Sequence, residues 1–538
     1  MHRTESDHGL AQILQLLPSE GEFCSVAKRH KLRENPLPIQ ELEQELEHRS
    51  RLMKLFFHAH DAQMQMAELV MHLSDPGMAN WDKVESLAIH ELFELKSFLY
   101  HYLALKTFLE KHKLQSLHPL PELSGLFRLL DPENNGLPLF RLSPAYSPKL
   151  HKLDEERLSC AHKLHEIRFA DLEKAKKTLK LPTLKEDFIL SRNQEARIQL
   201  LLNSKYYVIS AESLANISFR LADSSAALKL KNKLNKLQQD IHSEEQVILQ
   251  QLTQAIQNQL PELKQARSST IDLVWDYMLA AYGVKYNCCI PAVYDPQHQY
   301  RGIKLKAAVN LPLKLVLEEQ HRLYQPLDLD FKDHISLITG PNMGGKSTTL
   351  KTIALFCACA AKGIPVPADK ALLPVFDHIY YNHAGDDHSE TLSSFGREVV
   401  AFNTALHHGE STLFLLDEFA KGTNPEEGEA LSLATIQYLQ DMGFTLIAAT
   451  HFSAPTKLNG IAHYSIRGIS AKDFTRLKKL PKDNLQNMLK LLSEAMDYAL
   501  IKLPAGQNPP QCAAQIAALL GLPPEILATA DKFRKKDQ

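Results

Sequence analysis

Residues 340–348 read Gly340-Pro341-Asn342-Met343-Gly344-Gly345-Lys346-Ser347-Thr348 and fit the pattern G-x-x-x-x-G-K-[ST]. The segment before them, 335–339, is apolar and β-branched, and the segment after them, 349–355, favours a helix. A glycine-rich turn between a strand and a helix directs backbone N–H groups and a helix N-terminus at one point, which suits a polyphosphate. We therefore predict that these residues bind ATP, with Lys346 at the β- and γ-phosphates and Ser347 as a ligand of Mg²⁺.

A second apolar segment, 411–416, ends in the two acids Asp417 and Glu418. This pattern predicts a strand beside the loop strand in a parallel sheet, with its carboxyl end at the nucleotide. Asp417 would then hold Mg²⁺, directly or through a water, and Glu418 would be the general base that polarises the attacking water. A further strand, 445–450, ends at His451, which is expected to hydrogen-bond the γ-phosphate. The alternative for a histidine at a strand end is a purely structural role.

The residues inside the loop, Pro-Asn-Met-Gly-Gly, resemble those of MutS-type ATPases, a branch of the ABC ATPase group. The resemblance continues in four further segments, 385–395, 417–428, 449–452 and 517–526. In that family the segment ending in Ser-Thr-Phe completes the ATP site of a neighbouring subunit. The resemblance therefore implies a homo- or heterodimer through the ATPase domains, with Ser393 at the γ-phosphate bound by the other subunit. A helix N-cap is the alternative role for Ser393.

Two departures separate this sequence from the mismatch-repair branch of the family. That branch has Gly-Arg pairs where this chain has Thr391-Leu392 and Ala420-Lys421. The run 424–428 is more similar to a paralogous branch that does not read mismatches. No mismatch-reading Phe-x-Glu is expected, because the one at Phe108 lies in a charged helical segment. No C-terminal nuclease domain is expected either, since the sequence ends soon after the ATPase motifs.

The composition of the 538 residues, with 44% hydrophobic and 23% charged residues, is typical of a globular protein with several domains. The N-terminus has no apolar signal-like region, and no apolar run approaches the ~18 residues of a membrane span. Seven cysteines without metal-ligand spacing suit a reducing compartment. These features predict a cytoplasmic protein without a membrane partner. The net charge of −2 is mild evidence against strong DNA binding.

The residues before 285 are mainly of helical periodicity. Long helices are predicted over 150–181 and 225–260, and they flank an insert near 183–221 with strands at 206–210 and 217–221. We therefore predict an α/β P-loop (ABC-type) ATPase domain, 285–538, that is C-terminal to a mainly α-helical core with long lever helices and a small clamp insert. The core would span 1–150, and the levers with their clamp would span 151–284.

The target of the predicted ATPase is open between two classes. One is DNA, held through its backbone by a dimeric clamp in repair or recombination without mismatch reading. The other is a protein or ribonucleoprotein client, as for a MutS-like reactivase of an adenosylcobalamin-dependent aminomutase or a ribosome-acting ATPase. Basic residues near the predicted clamp tip are interleaved with acids, so that surface fits a phosphate contact and a plain solvated tip equally well.

Overall fold

The computed structural model describes residues 9–33, 37–341, 345–382, 394–409, 411–452, 454–478, 488, 491–492, 494–504, 507 and 513–536. The chain divides into a first unit, residues 1–71 with 271–538, and a second unit, residues 72–270. The second unit is thus inserted in the sequence of the first. The three domain ranges suggested by the sequence stay predictions.

A six-stranded sheet in the first unit carries the predicted loop. Its strands, in spatial order and numbered along the chain, are β13 (Met496–Leu503), β12 (Ala462–Ile469), β7 (Ile335–Thr339), β11 (Thr445–Ala449), β10 (Thr412–Asp417) and β9 (His378–Asn382). All neighbours are parallel except β12 and β13. Every residue of β7 and β11 is buried, as expected for parallel strands covered on both faces.

The order of these strands corrects one prediction. The strand that ends at Asp417 does not lie beside the loop strand, because β11 lies between them: Ala448 pairs with Leu337 on one side and with Leu416 on the other. Strands joined by helical crossovers can enter a parallel sheet in several orders, and local sequence does not specify which. The carboxyl ends of all three strands still meet at one edge.

Three helices follow strands of this sheet, namely α12 (Lys346–Ala361), α13 (Ser394–Leu406) and α14 (Pro425–Asp441). One face of the sheet buries an apolar cluster that includes Leu337, Phe414 and Leu446. A four-stranded sheet that the sequence analysis did not predict has the order β4 (Ala292–Tyr294), β8 (Lys370–Pro374), β5 (Ile303–Ala308) and β6 (Leu327–Phe331). The other helices of this C-terminal part are α11 (Leu311–Glu319), α15 (Ala471–Lys478), α16 (Ala513–Leu519) and α17 (Pro524–Lys536).

The N-terminal helices of the first unit are α1 (Leu10–Leu16), α2 (Glu22–Lys31), α3 (Ile39–His58) and α4 (His60–Met71). A buried arginine joins α3 to the C-terminal part of the same unit. The guanidinium of Arg49, fully shielded from solvent, donates to Asp276 Oδ1 at 2.8 Å, to the Gly363 carbonyl at 2.8 Å and to Glu45. Gly363 must lack a side chain, since a Cβ there would lie 1.8 Å from Arg49 Nη1.

Replacing Arg49 with methionine is expected to lower the free energy of unfolding of the first unit by about 3–5 kcal/mol, because the buried Asp276 carboxylate loses its countercharge. Chemical denaturation followed by circular dichroism measures the change. Lys54→Met is the matched control: Lys54 is exposed on the same helix, so its replacement should shift stability by less than about 0.5 kcal/mol. Equal changes in the free energy of unfolding in the two variants would contradict the stabilising role of the ion pair between Arg49 and Asp276.

The second unit contains α5 (Ile89–Lys111), α6 (Ser124–Leu129), α7 (Pro148–Leu179), β1 (Asp187–Ser191), α8 (Glu195–Leu202), β2 (Tyr207–Glu212), β3 (Asn216–Leu221) and α9 (Ser225–Asn258). Helix α10 (Leu260–Lys285) continues into the first unit. Serine caps open α7 and α9: Ser147 accepts from the N–H of Leu150 and Ser224 from that of Ala227. Both long helices occur where the sequence predicts them, and their role as levers stays a prediction.

Strands β1, β3 and β2 form a small antiparallel sheet between α7 and α9 in the sequence. The predicted strands at 206–210 and 217–221 correspond to β2 and β3, whereas β1 and α8 were not predicted. Phe219 and Leu201 are fully buried in the core of this insert. Among the described residues, no helix is both long enough and apolar enough to cross a bilayer.

Candidate nucleotide-binding site

The predicted phosphate loop connects β7 to α12. Gly340 and Gly345 have φ of 141° and 88°, which favours glycine, and α12 begins at Lys346. A Cβ at Gly345 would lie 2.9 Å from Cδ1 of Tyr498. The expected strand–loop–helix arrangement is therefore present at both ends of the loop. Three of its predicted nucleotide ligands, Asn342, Met343 and Gly344, lie outside the described residues.

The side chain of Lys346 turns back towards the loop. Its ammonium group donates to the carbonyl oxygens of Gly340 at 2.9 Å and Pro341 at 3.3 Å. Burial lowers the pKa of Lys346, and the nearby carboxylates of Glu418 and Asp417 oppose that shift. A desolvated ammonium that donates to neutral carbonyl oxygens is well suited to an anionic ligand.

Two oxygen groups fit a hard cation near this loop. Ser347 is exposed in the first turn of α12, and Asp417 ends β10. The Tyr381 hydroxyl donates to Asp417 Oδ2 at 3.3 Å, whereas the buried Oδ1 has no hydrogen-bond partner among the described residues. A carboxylate oxygen without a donor among the described residues and an exposed hydroxyl suit Mg²⁺, which prefers oxygen ligands.

Glu418 follows Asp417 in a left-handed conformation, with φ of 56°. Its carboxylate contacts the ammonium of Lys421 and Nε2 of His451. Burial by itself would raise the pKa of Glu418, but Lys421, His451 and Lys346 together lower it below its usual value. Burial and the charge of Lys346 lower the pKa of His451. The Glu418 carboxylate and the His451 ring are therefore in direct contact at the carboxyl ends of neighbouring strands.

A cavity of about 830 Å³ in the first unit is lined by six of the nine predicted site residues that the structure describes, whereas Gly340, Asp417 and His451 do not line it. On one side it is lined by Pro341, Gly345, Lys346, Ser347, Thr348 and Glu418. The cavity is also lined by Tyr324, Gln325, Tyr498 and Lys421, for which no role was predicted from the sequence. Of these four residues, only Lys421 could have been connected with the site from the sequence, because it follows Glu418 by three residues. The predicted γ-phosphate ligand Ser393 lies outside the described residues.

The part of the chain that holds this site is similar to known proteins. The family model for MutS domain V matches residues 336–536, which hold the loop, the acidic strand end and the histidine. Residues of this chain are 31% identical over 300 positions to the DNA mismatch repair protein MutS of Lactobacillus delbrueckii subsp. bulgaricus. Residues 336–536 of this chain belong to the MutS domain V family. Domain V is the ATPase domain of MutS proteins.

The fraction of the relative's length that this chain matches differs from one relative to another. The MutS of Haloquadratum walsbyi is 32% identical over 222 residues, which are 40% of this chain and 22% of the relative. The Endonuclease MutS2 of Maridesulfovibrio salexigens is 28% identical over 310 residues, 57% of this chain and 37% of the relative. The Lactobacillus match covers 54% of this chain and 32% of that MutS. The chain thus spans less than two-fifths of the length of each of these MutS relatives.

Proposed function

We propose that this chain is a MutS-family ATPase that binds ATP with Mg²⁺ and hydrolyses it to ADP and phosphate. One observation carries the proposal. Lys346, Ser347 and Glu418, which have the chemistry for phosphate binding, Mg²⁺ ligation and water activation, line a single cavity at the carboxyl edge of a parallel sheet.

Each of the site residues has a separate role in the proposed reaction. Lys346 and the first-turn N–H groups of α12 bind the β- and γ-phosphates. Ser347 and Asp417 would hold Mg²⁺, which supplies charge neutralisation on the phosphates when bound. Glu418 orients the attacking water and accepts its proton. Lys421 and His451 contact the Glu418 carboxylate, and His451 would donate to the γ-phosphate in place of its contact with Glu418 when ATP is bound.

The assembly we propose is a dimer through the ATPase domains. The support is the family resemblance of segment 385–395, in which Ser393 would reach the nucleotide bound by the other subunit. A homodimer and a heterodimer would complete the ATP sites equally well. We place the protein in the cytoplasm, as the cysteines without metal-ligand spacing suggest.

For the target we propose the DNA backbone, held without mismatch reading. The MutS and MutS2 relatives are named for DNA repair and endonuclease activity. Residues 157–240 contain 16 Lys and Arg and nine Asp and Glu, although the whole chain carries −2. This local surplus of positive charge, hidden in the average, favours a polyanionic partner.

A row of exposed lysines on α9 suits phosphate binding in that region. Lys229, Lys233 and Lys236 are exposed at spacing i, i+4, i+7, so they lie on one helix face over about 10 Å. None of them forms a salt bridge with another described residue. They are therefore available to neutralise phosphates.

Replacing Lys229, Lys233 and Lys236 with glutamine is expected to weaken DNA binding equally on matched and mismatched duplexes. Each phosphate that is no longer neutralised should reduce the slope of log K against log salt by about 0.9, hence by roughly 2–3 in total. Fluorescence anisotropy on matched, mismatched and four-way-junction DNA at several salt concentrations measures this.

The control for that experiment replaces three lysines of the four-stranded sheet, Lys304, Lys306 and Lys370, which are also exposed. It changes the net charge by the same amount and should leave the salt slope unchanged. Salt-insensitive selection of a mismatch by the wild-type chain would contradict the proposed target.

A protein or ribonucleoprotein client is the second candidate, and one feature favours it. Strand β2 is an edge strand with Val208 and Ile209 exposed, Ile189 on β1 is 66% exposed, and Leu214 is fully exposed. An apolar strand edge can pair with an extended peptide. Absence of binding to all three DNAs, with ATPase activity intact, would favour this client.

A further inference from the structure

The turn after β10 is held in an unfavourable backbone conformation. Both Glu418 and Ala420 have positive φ, 56° and 63°, although each carries a Cβ. Such a turn persists only where neighbouring groups fix it. It sets the direction in which the Glu418 carboxylate points, so the groups that fix it control the proposed base.

Asn382, the last residue of β9, holds the first residue of this turn. Its side-chain carbonyl accepts from the backbone N–H of Asp417, and its amide group donates to the backbone carbonyl of Asp417 at 3.3 Å. The side chain thus satisfies both backbone groups of Asp417 where the β9–β10 ladder ends. The same amide also donates to Glu398 Oε1 at 2.6 Å.

Glu398 holds the other end of the turn. It lies in the second turn of α13, and its Oε2 accepts from the backbone N–H of Ala420 at 3.2 Å. Both carboxylate oxygens are therefore used, one on each side of Glu418. Burial raises the pKa of this carboxyl, which marks it as partly withdrawn from solvent.

We propose that Asn382 and Glu398 are positioning residues that fix Asp417 and Glu418, so that ATP hydrolysis depends on where α13 lies. The inference rests on the proposed ATPase function. Helix α13 begins at Ser394, the residue that follows Ser393 in the chain. A displacement of α13 therefore moves Glu398, and with it the Ala420 end of the turn, without touching Lys346 or the loop.

The test compares Asn382→Ala, Glu398→Ala and the double variant. Each single variant is expected to reduce kcat by about 10–100-fold, the usual consequence of misplacing a reacting group by about 1 Å. The Kd for ATP should stay within about threefold of wild type. The double variant should resemble the less active single variant, because residues of one hydrogen-bond network do not act additively.

The structure offers a matched control at Asp328. Its Oδ1 accepts from the backbone N–H of Ala307 at 2.6 Å, and Ala307 also has a positive φ, 49°, but in the four-stranded sheet. Asp328→Ala should therefore remove the same kind of hydrogen bond and leave kcat within about twofold of wild type. Thermal unfolding of every variant is measured, and Glu398→Gln, which keeps one acceptor oxygen, replaces Glu398→Ala if that chain does not fold.

Three results would overturn the positioning role: unchanged kcat in folded variants, multiplicative effects in the double variant, or a rise in Kd that matches the fall in kcat. In each of these the wild-type chain still hydrolyses ATP, so the proposed function stands. A wild-type chain that binds ATP without turnover overturns both proposals.

Discussion

Replacing Lys346 with alanine is expected to abolish ATP binding at ordinary nucleotide concentrations. Lys346 is the buried cation of the site, with 5% of its surface exposed. Truncating one partner of a desolvated charge pair costs about 2–5 kcal/mol, so the Kd for ATP should rise from roughly 30-fold to several thousandfold. Titration with a fluorescent ATP analogue, in the presence of Mg²⁺, measures the change.

Stability separates this effect from misfolding. Within the described part of the chain, the Lys346 ammonium donates to the carbonyls of Gly340 and Pro341, and its removal also relieves a buried charge. The thermal unfolding temperature of Lys346→Ala should therefore stay near that of wild type. Lys351→Ala, on the same helix but outside the cavity, should bind ATP normally. Undiminished ATP binding by Lys346→Ala would remove the loop from the proposed site.

Replacing Glu418 with glutamine should leave ATP bound and reduce turnover by about 10²–10⁴-fold, the usual contribution of a general base. Glutamine keeps the volume of the side chain and one acceptor, but it cannot take a proton from water. Lys421 and His451 contact this carboxylate, so alanine would also leave these two groups without their partner. Single-turnover phosphate release, with nucleotide affinity measured in parallel, distinguishes the two steps.

The control for Glu418 is Glu426→Gln. Glu426 is exposed in the first turn of α14, a few residues beyond the turn that holds Glu418. Its replacement should leave turnover within about twofold of wild type. Rapid phosphate release by Glu418→Gln would assign water activation to another group.

Much of the ATPase fold could be predicted because its signals are local. The residues 340–348 set a turn that only a strand before and a helix after can accommodate, and both are present. The insertion of β11 between β7 and β10 could not be predicted, because the pairing of Leu416 with Ala448 is specified by the packing of the whole sheet. The contacts of the buried Arg49 could not be predicted either, because its partners Asp276 and Gly363 lie more than 200 residues away in the chain.

In the candidate site, too, the features with local sequence signals could be predicted and the long-range contacts could not. Asp417, Glu418 and His451 each end or follow a predicted strand, and parallel strands of one sheet end at one edge. Their proximity was therefore accessible from sequence. The hydrogen bonds of Asn382 and Glu398 with the turn were not, because they join a strand end and a helix that no motif connects. The chemical roles of all these residues stay predictions until the variants are measured.

The inserted position of the second unit has a consequence for synthesis on the ribosome. Residues 72–270 form a contiguous unit and can fold as soon as they emerge, whereas residues 1–71 must wait for partners that begin at Ile271. At about 5–20 residues per second, that wait lasts roughly 10–40 s. During it the apolar face of α3, with Leu42, Leu46, Leu52 and Phe56, lacks those partners that begin at Ile271. The nascent chain should therefore depend on chaperones that bind exposed apolar helices, and slowing translation beyond residue 72 should increase aggregation of the N-terminal segment.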